Sequence, residues 1–176
     1  MTSEQFTITF YTKHGLLNGT ISVPRGERLL DLLNDGLEDN QINESLYLSL
    51  SNVILSSERG IKDRYDAIYI AKSNLIMVST PERDVARGIC AQLGLKDPPY
   101  VEKSPVSIRL EIQDYTITGN LHCSNGETIL GVLNKPLRFL PMTDAKIRAN
   151  QTEHWVPVDF LAVNNTEVFS VYTTSS

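Results

Sequence analysis

Along the first stretch of the chain, apolar and polar residues alternate one for one: Phe6, Ile8 and Phe10 are separated by Thr7 and Thr9. A period of two places one set of side chains on a single face, which predicts a strand half-buried against a core. After a turn at His14-Gly15, a second strand runs through Leu17, Gly19, Ile21 and Val23. From about Glu27 to Leu33 the pattern becomes helical. Asn34 follows as a residue able to take the left-handed conformation that ends a helix. Three more strands are expected over about 46–56, 65–71 and 75–79, the last two joined by the tight turn Lys72-Ser73-Asn74. Between them, Arg59 to Arg64 mixes basic residues with Asp63 and reads as a solvated loop.

The whole order recurs. Phe6 to Asn34 aligns without a gap on Val106 to Asn134 at a constant offset of 100 residues. Ile8 falls on Ile108, Gly19 on Gly119, Gly26-Glu27 on Gly126-Glu127, and Leu33-Asn34 on Leu133-Asn134. A glycine inside a strand is costly unless a bend, a bulge or a close approach needs it, so its recurrence predicts a bent strand in both copies. Tyr47-Leu48 then corresponds to Phe139-Leu140, and Ile68-Tyr69-Ile70 to Asp159-Phe160-Leu161. Between the copies, Thr80-Pro81 is a helix-start signal, and Val85, Ile89 and Leu93 with Cys90 form an apolar stripe at helical spacing. Pro98-Pro99 and Pro105 then impose an extended strap. The expected organisation is a mainly β protein: a small β-barrel repeat over 1–80, a linker helix and strap over 81–105, and a second small β-barrel repeat over 106–176.

Gly15-Leu16-Leu17-Asn18-Gly19-Thr20-Ile21, followed by Leu48-Ser49-Leu50-Ser51-Asn52-Val53, has the cadence of Sm-like and SH3-like small barrels, which each repeat resembles. The helix between the second and third strands departs from the Sm pattern. Arg28-Leu29-Leu30-Asp31-Leu32-Leu33-Asn34 resembles the Arg-Leu-x-Asp-x-Leu-Asn signature of an uncharacterised bacterial domain family of unknown function. The second copy reads Thr128-Ile129-Leu130-Gly131-Val132-Leu133-Asn134, so any role of Arg28 and Asp31 belongs to one half alone. That resemblance brings no activity with it.

Charge and candidate chemistry narrow the functional classes. The net charge is −5, and no run of Lys or Arg supplies the cationic patch that nucleic-acid binding rests on. No apolar run approaches the roughly 20 residues of a membrane span. Met1 to Phe6 has neither a basic nor an apolar segment of a secretory signal, so a cytoplasmic protein with reduced Cys90 and Cys123 is expected. His14, His122 and His154 are dispersed without metal-ligand spacing, and no phosphate loop or nucleophile elbow is present. No cofactor and no catalytic residue are expected. The binding candidates are Arg28 and Asp31, which can pair on one helix face, Asn34 and Asn134 at the helix ends, and the aromatic Trp155. The leading expectation is a non-catalytic interaction module that binds a protein partner or self-assembles. An Sm-like RNA-binding protein comes second, and an enzyme with a site between the lobes third.

Overall fold

The alternation of Phe6, Ile8 and Phe10 does produce a strand. β1 (Ser3–Thr12) pairs antiparallel with β2 (Gly15–Pro24) along its full length. Thr12 closes the hairpin: its hydroxyl donates to the Gly15 carbonyl (2.8 Å) and accepts from the His14 N–H (3.1 Å). The computed structural model describes residues 3–24, 27–35, 46–57, 60–80 and 102–173. In chain order, β2 leads to the short helix α1 (Leu29–Asn34), β3 (Tyr47–Ser57), β4 (Gly60–Ala71), a 3-10 turn (Lys72–Asn74) and β5 (Leu75–Thr80). The second half repeats the order: β6 (Lys103–Ile112), β7 (Tyr115–Ser124), α2 (Ile129–Leu133), β8 (Phe139–Ala149), β9 (Val156–Asn164), a 3-10 turn (Asn165–Glu167) and β10 (Val168–Thr173).

The recurring strand glycines mark a bulge. Opposite Gly19, the pairing skips from Asn18↔Ile54 to Thr20↔Ser51, so two residues of β3 face one of β2. Opposite Gly119 it skips from Thr118↔Lys146 to Asn120↔Thr143. The bulged positions Asn52 and Asp144 sit at φ +52° and +51°, the left-handed region that short polar side chains tolerate. The extra backbone crowds the glycine. A Cβ on Gly119 would lie 3.0 Å from the Ala145 Cα, and one on Gly19 would lie 3.1 Å from the Val53 Cγ2.

Each half places its strands in the same spatial order, β5-β1-β2-β3-β4 and β10-β6-β7-β8-β9. The halves do not stand apart as two closed barrels. β5 pairs antiparallel with β9, Met77↔Val163 through Thr80↔Phe160, so one open sheet of ten strands runs from β10 to β4. Two apolar cores lie on it, and they exchange residues at this seam. Phe139, Phe160 and Ala162 belong to the core of the first half, while Tyr11, Ile76 and Met77 belong to the core of the second. A bulge in β5 explains the exchange: pairing with β1 passes from Tyr11↔Met77 to Thr12↔Leu75 and skips Ile76, so Leu75 and Val78 join one core, Ile76 and Met77 the other, and all six residues of β5 are buried.

Several expectations need correction. Gly60 to Arg64 is strand, the first part of β4, and not a loop. Lys103 to Pro105 opens β6 and is not a strap. The 3-10 turns align Lys72 with Asn165, which puts Ile68 on Leu161 and Tyr69 on Ala162, two residues away from the sequence alignment. Neither Asn34 nor Asn134 is left-handed: Asn34 is the last helical residue and Asn134 lies at φ −86°. The expected linker helix, with Cys90, lies outside the described residues. No helix among the described residues is long and apolar enough to cross a membrane.

Candidate interaction surfaces

The first helix is too short to hold its own ends, so side chains hold them. At its start the Arg28 guanidinium clasps both Asp31 carboxylate oxygens (2.7 and 2.5 Å), and Asp31 also accepts from the Arg28 backbone N–H (3.3 Å). Both side chains are about half exposed, at 50% and 45%, so the pair contributes at most about 1 kcal/mol. At its end the buried Lys72 ammonium donates to the Leu32 carbonyl (2.6 Å) and the Asp35 carbonyl (3.0 Å). Burial holds the Lys72 pKa below its usual value, with Asp35 partly opposing. In α2, Thr128 Oγ1 caps Gly131 N–H (3.1 Å), and Asn165, the counterpart of Lys72, donates its amide to the Leu133 carbonyl (2.7 Å). The Lys72 and Asn165 anchors come from distant turns and carry no local sequence signal. Only the correct alignment of Lys72 with Asn165 would have exposed them.

Asn34 crosses between the halves. Its Nδ2 donates to the Phe139 carbonyl (3.0 Å) while its Oδ1 accepts from the Phe139 N–H (2.8 Å), clamping α1 to the first residue of β8. Around this clamp lies a cavity of about 770 Å³ between α1 and the second half. Three basic side chains (Arg28, Lys103, Lys135) and three acidic ones (Asp31, Asp144, Asp159) line it, together with His122. Arg28 is paired with Asp31, and Lys135 with Glu127 (2.6 Å). His122 Nε2 is 2.8 Å from the Thr143 hydroxyl, and burial, with a smaller push from Lys103, holds its pKa below the usual value. Acidic and basic side chains balance in the groove, with Arg28 committed to Asp31 inside it and Lys135 drawn to Glu127, and the His122 imidazole and Thr143 hydroxyl lie within hydrogen-bond reach of each other. Among the described residues no group of three His, Cys, Asp or Glu side chains could hold a metal ion. Cys123 is a free, buried thiol inside the second core.

The five candidate residues therefore separate. Arg28, Asp31 and Asn34 line one cavity. Asn134 is exposed beyond α2, and its side chain makes no hydrogen bond among the described residues. Trp155 lies elsewhere, half-buried in the β8–β9 connection, with the Arg148 guanidinium 4.9 Å above its ring.

The feature that sequence reasoning missed is the pair of sheet ends. Among the described residues β4 pairs only with β3, and β10 only with β6. Large apolar side chains gather there: Leu46, Tyr47, Tyr65 and Tyr69 (78% exposed) on the β3–β4 side, and Phe169 (87% exposed) and Tyr172 on β10. An unpaired edge presents a row of free backbone donors and acceptors, and apolar residues beside it favour strand addition. No protein-family model, curated protein or solved structure matches this chain.

Proposed function

We propose that the protein is a non-catalytic scaffold that assembles with itself through the two ends of its sheet. One observation carries this reading: among the described residues β4 and β10 are both unpaired on their outer sides and carry the exposed aromatics Tyr65, Tyr69, Phe169 and Tyr172. Proteins that stay monomeric blunt such edges with charge, proline or a covering element, whereas β4 carries no charge from Ala67 onward and β10 carries neither charge nor proline. In the groove beside α1, Arg28 is committed to Asp31 and acidic and basic side chains balance, which supports a binding role. Light scattering across a micromolar concentration series tests the proposal. The expected result is a mass that rises above the 19.7 kDa of one chain. A single-chain mass at every concentration overturns it.

A further inference from the structure

Resting on that reading, we infer that copies of the chain join head to tail. β10 of one copy lies antiparallel to β4 of the next, in the register that β5 and β9 already use inside the chain. The internal seam is a completed example of this contact. It joins the last strand of one half to the fourth strand of the following half. β10 is the last strand of the second half and β4 the fourth strand of the first, so the two edges left unpaired among the described residues are the complementary parts of that same joint. Carrying the internal register across pairs Ser170 with Ile70, Val171 with Tyr69, Tyr172 with Ile68, and Thr173 with Ala67.

Burial follows this equivalence position by position. Ala162 and Phe139 are 0% exposed at the seam, while their counterparts Tyr69 and Tyr47 are 78% and 59% exposed. Ile76 is skipped in the β1–β5 pairing and buried (2%) in the core across the seam. Its counterpart Phe169 is skipped in the same way in the β6–β10 pairing and is 87% exposed. A bulge that pushes Ile76 into the neighbouring half thus holds Phe169 out as an unseated knob. Leu30 packs against the first core beside the seam, whereas Leu130 is 66% exposed.

Charge along β4 marks where the contact begins. Asp63, Arg64 and Asp66 are exposed over its first part, and the charge stops at Ala67, where the transferred pairing starts. The loose Asn134 also finds its place. Asn34 clamps the Phe139 backbone in the following half, so Asn134 reaches the backbone of Tyr47 in the following copy. One seam bond has no counterpart: Asn164 Nδ2 donates to the Leu75 carbonyl (2.7 Å), and Ala71 stands at the equivalent position. The joint between copies is therefore weaker than the internal one, and its assembly depends on concentration. A contact between unlike surfaces propagates into a ring or a filament, whereas pairing of like edges stops at a dimer.

Two edge-blocked variants test the head-to-tail geometry, each altered at a highly exposed position so that folding is spared. Tyr69→Glu blocks β4 and Phe169→Glu blocks β10. Each alone is expected to be a monomer, and an equimolar mixture is expected to give a dimer and nothing larger, because each variant keeps the edge the other lacks. Either variant alone forming dimers, or a mixture that stays monomeric while the unaltered chain assembles, overturns the head-to-tail joint but leaves self-assembly standing. Asn134→Ala is expected to weaken assembly of the unaltered edges about tenfold, as the loss of two hydrogen bonds implies. Unchanged assembly overturns the transferred register.

Discussion

Asn34→Ala removes the amide that ties α1 to β8, and the structure sets the size of the loss. Two hydrogen bonds go, of 3.0 and 2.8 Å, both to the backbone of a residue that is 0% exposed. The Phe139 N–H and carbonyl lose both partners, and water entering from the adjoining cavity offsets part of the cost. An unmet buried group costs about 1–3 kcal/mol, and a net hydrogen bond about 1 kcal/mol. We expect a total loss of about 2–3 kcal/mol, equivalent to a fall of roughly 4–12 °C in Tm for a chain of this size. Asn34→Asp keeps an acceptor for the Phe139 N–H and loses only the donor, so it is expected to cost about half as much. The internal control is Asn134→Ala, at the equivalent residue of the second half, where the side chain is exposed and unbonded among the described residues. Its effect is expected to stay within about 0.5 kcal/mol. Urea melts followed by circular dichroism, at dilutions where the chain is a monomer, measure all three. If Asn34→Ala costs no more than Asn134→Ala, the clamp does not hold the halves together, and the equivalence drawn from it fails.

Gly119→Ala is expected to cost about 1–3 kcal/mol, because its Cβ would meet the Ala145 Cα at 3.0 Å and the Ala145 Cβ at 3.1 Å, and backbone cannot give way as a flexible side chain can. A neutral result in the same melts would show that the bulge is slack. Lys72→Ala strips the Leu32 and Asp35 carbonyls of their donor and is expected to cost about 1–3 kcal/mol and to speed hydrogen exchange in α1; protection equal to that of the unaltered chain argues against the anchor. Stability is expected to fall as pH drops below about 6.5. The folded His122 pKa lies below its unfolded value, so the unfolded chain takes up the proton first and is favoured by acid. The depressed pKa values of Glu111 and Glu167 act only from the carboxylate range downward, so His122→Gln should flatten the curve between about pH 7 and 5. An unaltered slope would refute the assignment to His122.

The repeat was legible because it is local. Paired glycines, the alternation around Ile8 and Ile108, and leucines at helical spacing each need only a few neighbouring residues to be read. Errors arose where a distant element decides the outcome. Gly60 to Arg64 looked like a loop because it is charged, yet an edge strand has one backbone side turned to water and tolerates charge there. The helix ends looked like sites for left-handed Asn34 and Asn134, but Lys72 and Asn165 reach in from the 3-10 turns and close the carbonyls instead. Ile68 was aligned with Asp159 in place of Leu161 because a slip of two residues in a strand keeps every side chain on its own face. Only the mismatch of Ile68 with the charged Asp159, against its match with Leu161, marks the slip.

The seam itself left a trace that the alternation argument passes over. A strand covered on one face alternates, whereas Leu75-Ile76-Met77-Val78 and Phe160-Leu161-Ala162-Val163 are unbroken apolar runs. Such a run means that both faces are buried, which two separate half-sized cores could not provide. The continuous sheet supplies the second core, and both runs are indeed fully buried. Val168-Phe169-Ser170-Val171-Tyr172 carries nearly the same composition in the equivalent strand, yet Phe169 and Tyr172 stand in solvent. The two halves thus spend similar strands differently: one is enclosed by its neighbour within the chain, and the other lacks that neighbour among the described residues. A β10 strand built only to end the sheet would gain by having polar residues at the two exposed positions. Its aromatics are accounted for if the neighbour that encloses β5 has a counterpart on the next molecule.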